Sequence, residues 1–289
     1  MRAGSGMKKL LPNLMLAFVF LAGLTLLLYP TVSNYINTLH QSHVVSGYEA
    51  EVAKHQAEDY TPLRDAAVAY NAALAENPNR FLQTDEEQTV YNALLNPFNN
   101  GIMGYVEIDR IDVKLPIYHG TDDSVLQVGA GHVVGTSLPT GGAGTHCAIS
   151  GHSGLPSAML FTNLDQLVMG DEFSLHVLNE TLTYRVDQIQ VVEPYDLTAL
   201  EIDPDQDYCT LVTCTPYGIN SHRLMVRGVR TQTEQAVTTT EPVQTEVVQT
   251  NPYSYAPAVL TIFFLLILIL LLLLWEKKTR RKKHTRSRY

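Results

Sequence analysis

Basic side chains are scarce in the middle of this 289-residue chain. Two long apolar segments, residues 10–29 and 256–275, bound that middle part. Of the 20 Lys and Arg residues, three precede the first segment and eight follow the second, which leaves nine between them. The same middle part carries 28 of the 29 Asp and Glu residues, so it repels polyanions, and this argues against nucleic acid as a partner.

Cysteine is also rare, with only Cys147, Cys209 and Cys214. An odd count in a monomer exported to an oxidising compartment leaves at least one thiol unpaired. A fully disulfide-bonded framework is therefore excluded, and the unpaired thiol needs a chemical reason.

Both apolar segments reach the roughly 20 residues that a membrane-spanning helix needs. The sequence therefore predicts two membrane spans, with membrane lipid as a partner. Because basic flanks stay in the cytoplasm, both termini are predicted to lie inside and the acidic part outside. Lys8 and Lys9 would also suit a signal peptide. The best cleavage site, at 31–33, is poor, and we favour an uncleaved anchor.

Composition divides the chain into six parts. Residues 1–33 form the cytoplasmic N-terminus and first span, 34–98 a helical region, 99–230 a β-rich domain, 231–255 an extended stalk, 256–275 the second span and 276–289 a basic cytoplasmic tail. In the helical region, Thr61 before Pro62 indicates a helix start. Thr84 with Glu87 forms a capping box for a short helix that follows.

Residues 103–230 have the pattern of an all-β unit, in which short β-prone runs alternate with clusters of Gly, Pro, Asn and Asp. The predicted strands are 105–108, 113–118, 145–150, 173–178, 182–192, 208–214 and 224–229, with one helical insertion at 157–167. This pattern predicts a mainly β fold that is closed or nearly closed.

One cysteine has the setting of a nucleophile. Cys214 ends the alternating run 208–214, faces the turn at 215–220 and is followed by Arg223 on the next run. A thiolate nucleophile and a developing oxyanion both need a fixed positive charge of this kind. A lone cysteine is more often an inert buried side chain and a lone arginine a surface group, so the prediction depends on their combination.

Ten histidines compete for the role of the base. His146 and His152 bracket the predicted strand 145–150, and His152 is followed by a Ser-Gly turn with room for substrate. A histidine at a strand end can act as an acid and a base near neutral pH, although a structural histidine is more common. The residues alone leave His146 and His152 both open.

Three segments resemble the sortases, the cysteine transpeptidases of Gram-positive cell surfaces. Segment 209–228, with Thr-Leu-Val-Thr before Cys214, resembles the signature around their active cysteine, and Ile149-Ser-Gly-His152 resembles their histidine motif. Segment 101–121 resembles the opening of the barrel in class C, the pilin-polymerising sortases. The layout with two anchors also fits class C.

The resemblance implies an eight-stranded sortase β-barrel with N-terminal helices and two transmembrane helices. It implies Cys214 as the nucleophile, His152 as the acid and base, and Arg223 as the residue that positions substrate and stabilises the oxyanion. The implied enzyme cleaves a Leu-Pro-x-Thr-Gly-like signal on a pilin or other surface protein through a thioester, then transfers the acyl group to a pilin lysine. No cofactor and no metal is expected. The alternatives are a peptidoglycan amine as acceptor and a non-catalytic surface assembly scaffold.

The chain departs from the class C pattern at two places. Class C enzymes usually cover the cysteine with an Asp-Pro-aromatic lid, and here that place reads Asn79-Arg80-Phe81. Phe81 could still plug the cleft, but Asn79 cannot form a charged pair with Arg223, so we expect a looser lid or none. Ser153 replaces the arginine that often follows the family histidine. The candidate lid or substrate-contact residues are Phe81, Thr213 and Ser153.

The two remaining cysteines predict a strand register. Cys147 lies five residues before His152, as Cys209 does before Cys214. If the two strands run parallel with the catalytic pair level, the other two cysteines are level as well, on the opposite face, as a disulfide or as reduced thiols. The alternate carboxylates at 203–207 lack the glycine and later glutamate of a calcium loop and indicate a solvated turn.

Overall fold

The computed structural model describes residues 4–55 and 59–231, with side chains from residue 15 onward. The helices in these ranges are α1 Gly4–Lys54, α2 Thr61–Ala75, α3 Asp85–Ala93 and α4 Asp123–Leu126. The strands are β1 Ile102–Ile108, β2 Val113–His119, β3 Ala130–His132, β4 Thr145–Ser150, β5 Glu172–Val177, β6 Glu180–Val192, β7 Asp207–Thr215 and β8 His222–Arg230. The predicted stalk beyond Thr231, the second span and the basic tail lie outside the described residues.

The eight strands close into a barrel in the order β1-β2-β3-β4-β7-β8-β6-β5. Two pairs are parallel, β2 with β3 and β4 with β7, and the others are antiparallel. Successive side chains of a strand point to opposite faces, so alternate apolar residues such as Val106, Leu175 and Leu211 fill the interior and are fully buried. The predicted closed β unit is confirmed, as are the eight strands that the family resemblance implies.

The helix predicted for residues 157–167 is wrong, because this stretch is irregular apart from one 3₁₀ turn at Leu164–Gln166. Leu160 has a φ of 41°, in the left-handed region that a helix of L-residues does not continue through. Phe161 and Leu164 are fully buried in the main core. The apolar spacing that suggested a helix therefore reflects the cover over one end of the barrel.

The short elements β3 and α4 were not predicted, because neither has a distinctive local pattern. Strand β3 is only three residues long, Ala130–His132, and contains a glycine and a buried histidine. Its pairing with β2 and β4 comes from contacts distant in the sequence. Tertiary pairing therefore completes the barrel where local propensity is weak.

Helices α2 and α3 contact the barrel through polar groups as well as apolar ones. Asn71 Nδ2 donates to the carbonyl of Leu138 at 3.0 Å, and Leu138 N donates to Asn71 Oδ1 at 2.7 Å, so one amide fixes α2. Helix α2 begins at Thr61, as predicted. Thr84 and Glu87 each accept a hydrogen bond from the other's backbone N–H, which confirms the capping box of α3.

Helix α1 is continuous over 51 residues. Among the described residues it is the one helix that is long and apolar enough to cross a membrane, by length and composition. Its C-terminal part packs on the barrel, where Tyr48 Oη donates to the carbonyl of Met103 at 2.9 Å and accepts from Leu178 N at 2.8 Å. Lys114 Nζ also contacts Glu49 Oε1 at 2.9 Å.

Candidate active site

The register of β4 and β7 brings the histidine and cysteine motifs together. The strands are parallel, with Cys147 opposite Cys209 and Ser150 opposite Val212. Beyond the end of β4 the alignment continues, because Gly151 N donates to the carbonyl of Val212 at 3.0 Å. Two residues further along each strand, His152 and Cys214 are therefore level, and both are half-buried.

The hairpin of β7 and β8 places the arginine beside the cysteine. Cys214 and Arg223 are direct partners in the antiparallel pair, so their side chains extend from the same face of the sheet. Arg223 Nη1 donates to the carbonyls of Asn220 at 3.3 Å and His222 at 3.0 Å, which hold the guanidinium at the hairpin mouth. Thiol, imidazole and guanidinium thus converge from three neighbouring strands.

Cys147 and Cys209 are level on adjacent strands, as predicted, and both are free thiols. They are buried in the barrel core, on the face opposite Cys214. Burial raises the pKa of Cys209 well above its ordinary value, with the neighbouring Cys147 thiol as a further cause. This pair is sealed from solvent, whereas Cys214 is not.

The structure separates the two histidines that the sequence left open. His146 is 1% exposed, with Nδ1 2.8 Å from the carbonyl of Glu201 and Nε2 2.7 Å from Thr210 Oγ1. Burial lowers its pKa to about 4, so it is neutral, donating from Nδ1 and accepting from the threonine hydroxyl. His146 therefore fastens the connection between β6 and β7 onto the sheet, and of the two histidines only His152 is partly exposed to solvent.

The segment Asn79-Arg80-Phe81 lies on the face of the sheet that carries Cys214. Phe81 packs against the apolar cluster of that face, which includes Val212 and Leu200. A Cβ on Gly135, whose φ is 88°, would come within 2.6 Å of the Phe81 ring, so only glycine fits beneath it.

Arg80 fastens this segment. Its Nη1 donates to the carbonyl of Gly135 at 3.1 Å and its Nη2 to that of Leu200 at 2.8 Å, while the guanidinium lies 4.5 Å from the centre of the Phe81 ring. The segment is thus tethered to the barrel through Arg80, and whether it forms a lid over Cys214, looser than in class C or not, stays a prediction.

Thr213 and Ser153, the two further candidates for substrate contact, are both buried. Thr213 is 4% exposed, and its hydroxyl donates to the carbonyl of Gly151 at 2.7 Å. Its side chain points away from the cysteine face and holds the strand end before His152 in place, and substrate contact by Thr213 remains a prediction. Ser153 is also buried, at 9% exposed, so substrate contact there remains a prediction.

The hydrogen bonds of Arg80 and the contact between His146 and Thr210 were not predicted from the sequence. The only local signal for Arg80 was its place beside Phe81 in the lid segment. Within residues 15–55 and 59–231, no group of three His, Cys, Asp or Glu side chains could hold a metal ion. The convergent groups can thus supply a nucleophile, a proton carrier and a fixed cation.

Known proteins share this domain and its fold. A family model described as "Sortase domain" matches residues 106–231. Sortase C1 of Streptococcus agalactiae is 45% identical, with a TM-score of 0.63 over 66% of this chain and 98% of that one. Streptococcus pneumoniae sortase C, whose structure is described as informative on pilin substrate specificity, is 43% identical, with a TM-score of 0.57 over 66% of this chain and 97% of that one. Clostridium perfringens sortase C, solved with the C-terminal cell wall sorting motif, is 41% identical, with a TM-score of 0.58 over 66% of this chain and 99% of that one.

The chain belongs to the sortase family of cysteine transpeptidases, and its structural neighbours place it with class C.

Proposed function

We propose that this protein is a membrane-anchored class C sortase that cleaves a Leu-Pro-x-Thr-Gly-like signal and joins the new carboxyl end to a lysine of a pilin. The observation that carries the proposal is the register of β4, β7 and β8, which aligns His152, Cys214 and Arg223 at one end of the barrel. The sorting motif bound to the Clostridium perfringens enzyme and the pilin specificity named for the Streptococcus pneumoniae enzyme support the substrate class.

The first half-reaction forms a thioester on Cys214. Its sulfur attacks the carbonyl carbon of the Thr–Gly bond, and the negative charge that develops on the oxygen is stabilised by the guanidinium of Arg223. His152 gives a proton to the leaving glycine nitrogen as the carbon–nitrogen bond breaks. The products are a peptide with a free amine and an acyl-enzyme.

The second half-reaction transfers the acyl group to an amine. Neutral His152 accepts a proton from the incoming lysine amine as its nitrogen attacks the thioester carbon. The carbon–sulfur bond breaks and the isopeptide bond forms. Water competes poorly because a thioester reacts well with amines and slowly with neutral water.

Both substrates must reach a face that Phe81 partly covers. Release of the two hydrogen bonds from Arg80 would let the segment at 79–81 move aside without unfolding α2 or α3. We infer that this segment limits access to Cys214 until substrate displaces it.

The apolar length of α1 supports the anchor. With basic residues before it, the barrel lies on the outer side of the membrane, where surface proteins and cell-wall amines are found.

The test uses the full chain in detergent with a Leu-Pro-x-Thr-Gly peptide and two competing amines, a lysine-containing pilin segment and a peptidoglycan stem peptide. Mass spectrometry identifies the products. The proposal predicts an isopeptide to the pilin lysine in excess over the stem-peptide product. A product with the stem peptide alone would assign the protein to cell-wall attachment, and the absence of any cleavage would support a scaffold.

A further inference from the structure

Exposed large apolar side chains of the barrel are concentrated at one end. Within residues 102–230 they fall in three stretches, 159–169, 189–197 and 217–219, which we call the apolar rim. Tyr195 is 94% exposed and Ile219 71% exposed. Large apolar groups gathered in this way indicate an interaction surface, whereas scattered ones do not.

The apolar rim surrounds the end of the barrel that carries the candidate site. Val192, the last residue of β6, pairs with Arg223 near the start of β8, and Arg223 pairs with Cys214 near the end of β7. The stretch 159–169 lies in the connection from the end of β4 to the start of β5. Strand β5 is antiparallel to β6, so its start lies towards the end of β6, which is the end that carries the candidate site. All three stretches therefore border the same end.

Helix α1 contacts this same end. Asn34 Oδ1 accepts from Met159 N at 2.7 Å, and Asn37 Nδ2 donates to the carbonyl of Ser157 at 2.7 Å. Further along the helix, Gln41 Nε2 donates to the carbonyl of Val128 at 3.1 Å.

The distance from these contacts to the apolar segment is short. At a rise of 1.5 Å per residue, Asn34 and Asn37 lie about 8 and 12 Å along the helix from Tyr29, the last residue of the predicted span. Tyrosines at the end of a span mark the membrane interface. Because α1 is continuous, it fixes the rim near the plane where the membrane segment ends.

We propose that the apolar rim rests on the outer lipid–water interface of the membrane that α1 spans. This inference rests on the anchored sortase proposed above and adds the orientation of its site. Tyr, Met, Ile and Val side chains can enter the headgroup region, where an interfacial apolar surface is buried by about 5–10 Å. The acidic charge of the domain gives no attraction to anionic lipid, so the contact is apolar.

Three carboxylates lie within the rim stretches: Asp165, which is exposed, Glu193 and Asp196. Glu193 Oε1 is 3.3 Å from His222 Nε2, and Asp196 Oδ1 accepts from Thr198 Oγ1 at 2.6 Å. An interface can accommodate such solvated groups at headgroup level. In this orientation Cys214 meets substrates whose scissile bond lies close to the bilayer, as it does when a membrane segment follows the sorting signal closely.

The test places one tryptophan on the rim of the full chain in lipid vesicles. The sole native tryptophan, Trp275, is first replaced by phenylalanine. Ile219→Trp and Met169→Trp then report from two separate rim stretches, at sites that are 71% and 60% exposed. Val90→Trp is the matched control, because Val90 is 56% exposed and lies on α3. Tyr91 of α3 contacts Gly120 at the end of β2, at the opposite end of the barrel.

Lipids brominated on their acyl chains quench tryptophan only when it lies in the bilayer. We expect a loss of emission for Ile219→Trp and Met169→Trp when brominated lipid replaces normal lipid, with none for Val90→Trp. Equal emission at all three positions overturns the inference. Unquenched emission at the two rim positions that is blue-shifted only at high protein density in the vesicles would assign the rim to a second copy and overturns it as well.

Two controls separate this inference from the proposed function. Flotation of the vesicles shows whether the chain is anchored, and a chain that does not float removes the anchor and overturns the inference. Cleavage of the sorting peptide in detergent reports on the site alone. Normal cleavage with unquenched rim positions contradicts the membrane orientation and leaves the sortase reaction standing.

Discussion

One face of the paired strands β4 and β7 is covered at one end and partly exposed at the other. We call these two parts the sealed half and the open half. In the sealed half, His146 and Thr210 hydrogen-bond to each other beneath the connection between β6 and β7. In the open half, His152 and Cys214 lie level at the strand ends and are half-buried. Each half carries one histidine, so the cover over each half decides which of the two can react.

The largest expected effect comes from removing the thiol of the open half, with Cys209, buried on the opposite face of the same strand, as the control. Cys214→Ala removes the open thiol, and transfer to the amine should fall by at least about a thousandfold, as when a covalent nucleophile is lost. Cys209→Ala, on the same strand but sealed, should keep the rate per folded molecule close to wild type. Initial rates with a quenched Leu-Pro-x-Thr-Gly peptide measure both. Comparable losses in the two variants would break the comparison.

Two arginines on β8, Arg223 in the open half and Arg227 in the sealed half, allow a second comparison, with a smaller expected loss of activity. Arg223→Lys keeps the charge at the open end but loses the planar fork, and we expect kcat/KM to fall by about 100-fold. Arg227→Lys is the control, because Arg227 lies in the sealed half and bonds Asp187 at 2.7 Å. Its kcat/KM per folded molecule should stay near wild type. A wild-type value for Arg223→Lys would argue against an oxyanion role.

The sealed half predicts a pH dependence of stability. The pKa of His146 is lowered to about 4 in the fold and returns to about 6.5 on unfolding, so the unfolded chain binds the extra proton between these values. Stability from this group is complete above pH 6.5 and falls by up to about 3 kcal/mol as the pH drops to 4. Thermal unfolding of wild type and His146→Gln across this range measures it. The variant should lose less stability on acidification, and parallel curves would contradict the account.

The smallest effect concerns access to the open half. Arg80→Ala removes two hydrogen bonds from the lid segment, and at roughly 0.5–1.5 kcal/mol each this should speed alkylation of Cys214 by about tenfold. Phe81→Ala should speed it as well, because the ring packs on that face. Arg64→Ala, which breaks an exposed ion pair with Glu180, is the control and should leave the rate unchanged. Equal rates in all four proteins would show that the segment does not limit access.

The parts of the site that the sequence predicted depend on local spacing. Cys214 and Arg223 flank one hairpin, and the equal five-residue offsets of the two histidine and cysteine motifs specify the register of β4 and β7. Strand alternation also places Thr213 on the inner face, where its hydroxyl donates to the carbonyl of Gly151.

The parts that were not predicted depend on contacts distant in the sequence. Arg80 bonds Gly135 and Leu200, which lie 55 and 120 residues away. His146 is excluded as the base by the carbonyl of Glu201, 55 residues away. The irregular stretch at 157–167 follows from the need to cover the barrel end with Phe161 and Leu164. Local propensity carries no information on such contacts.

The most direct test of the open half is to map the acyl-enzyme. The full chain is incubated with a Leu-Pro-x-Thr-Gly peptide in the absence of added amine, quenched in acid and digested for mass spectrometry. The account predicts the peptidyl mass on the fragment that contains Cys214, with Cys147 and Cys209 unmodified. An adduct on either buried cysteine, or full turnover by Cys214→Ala, would contradict it.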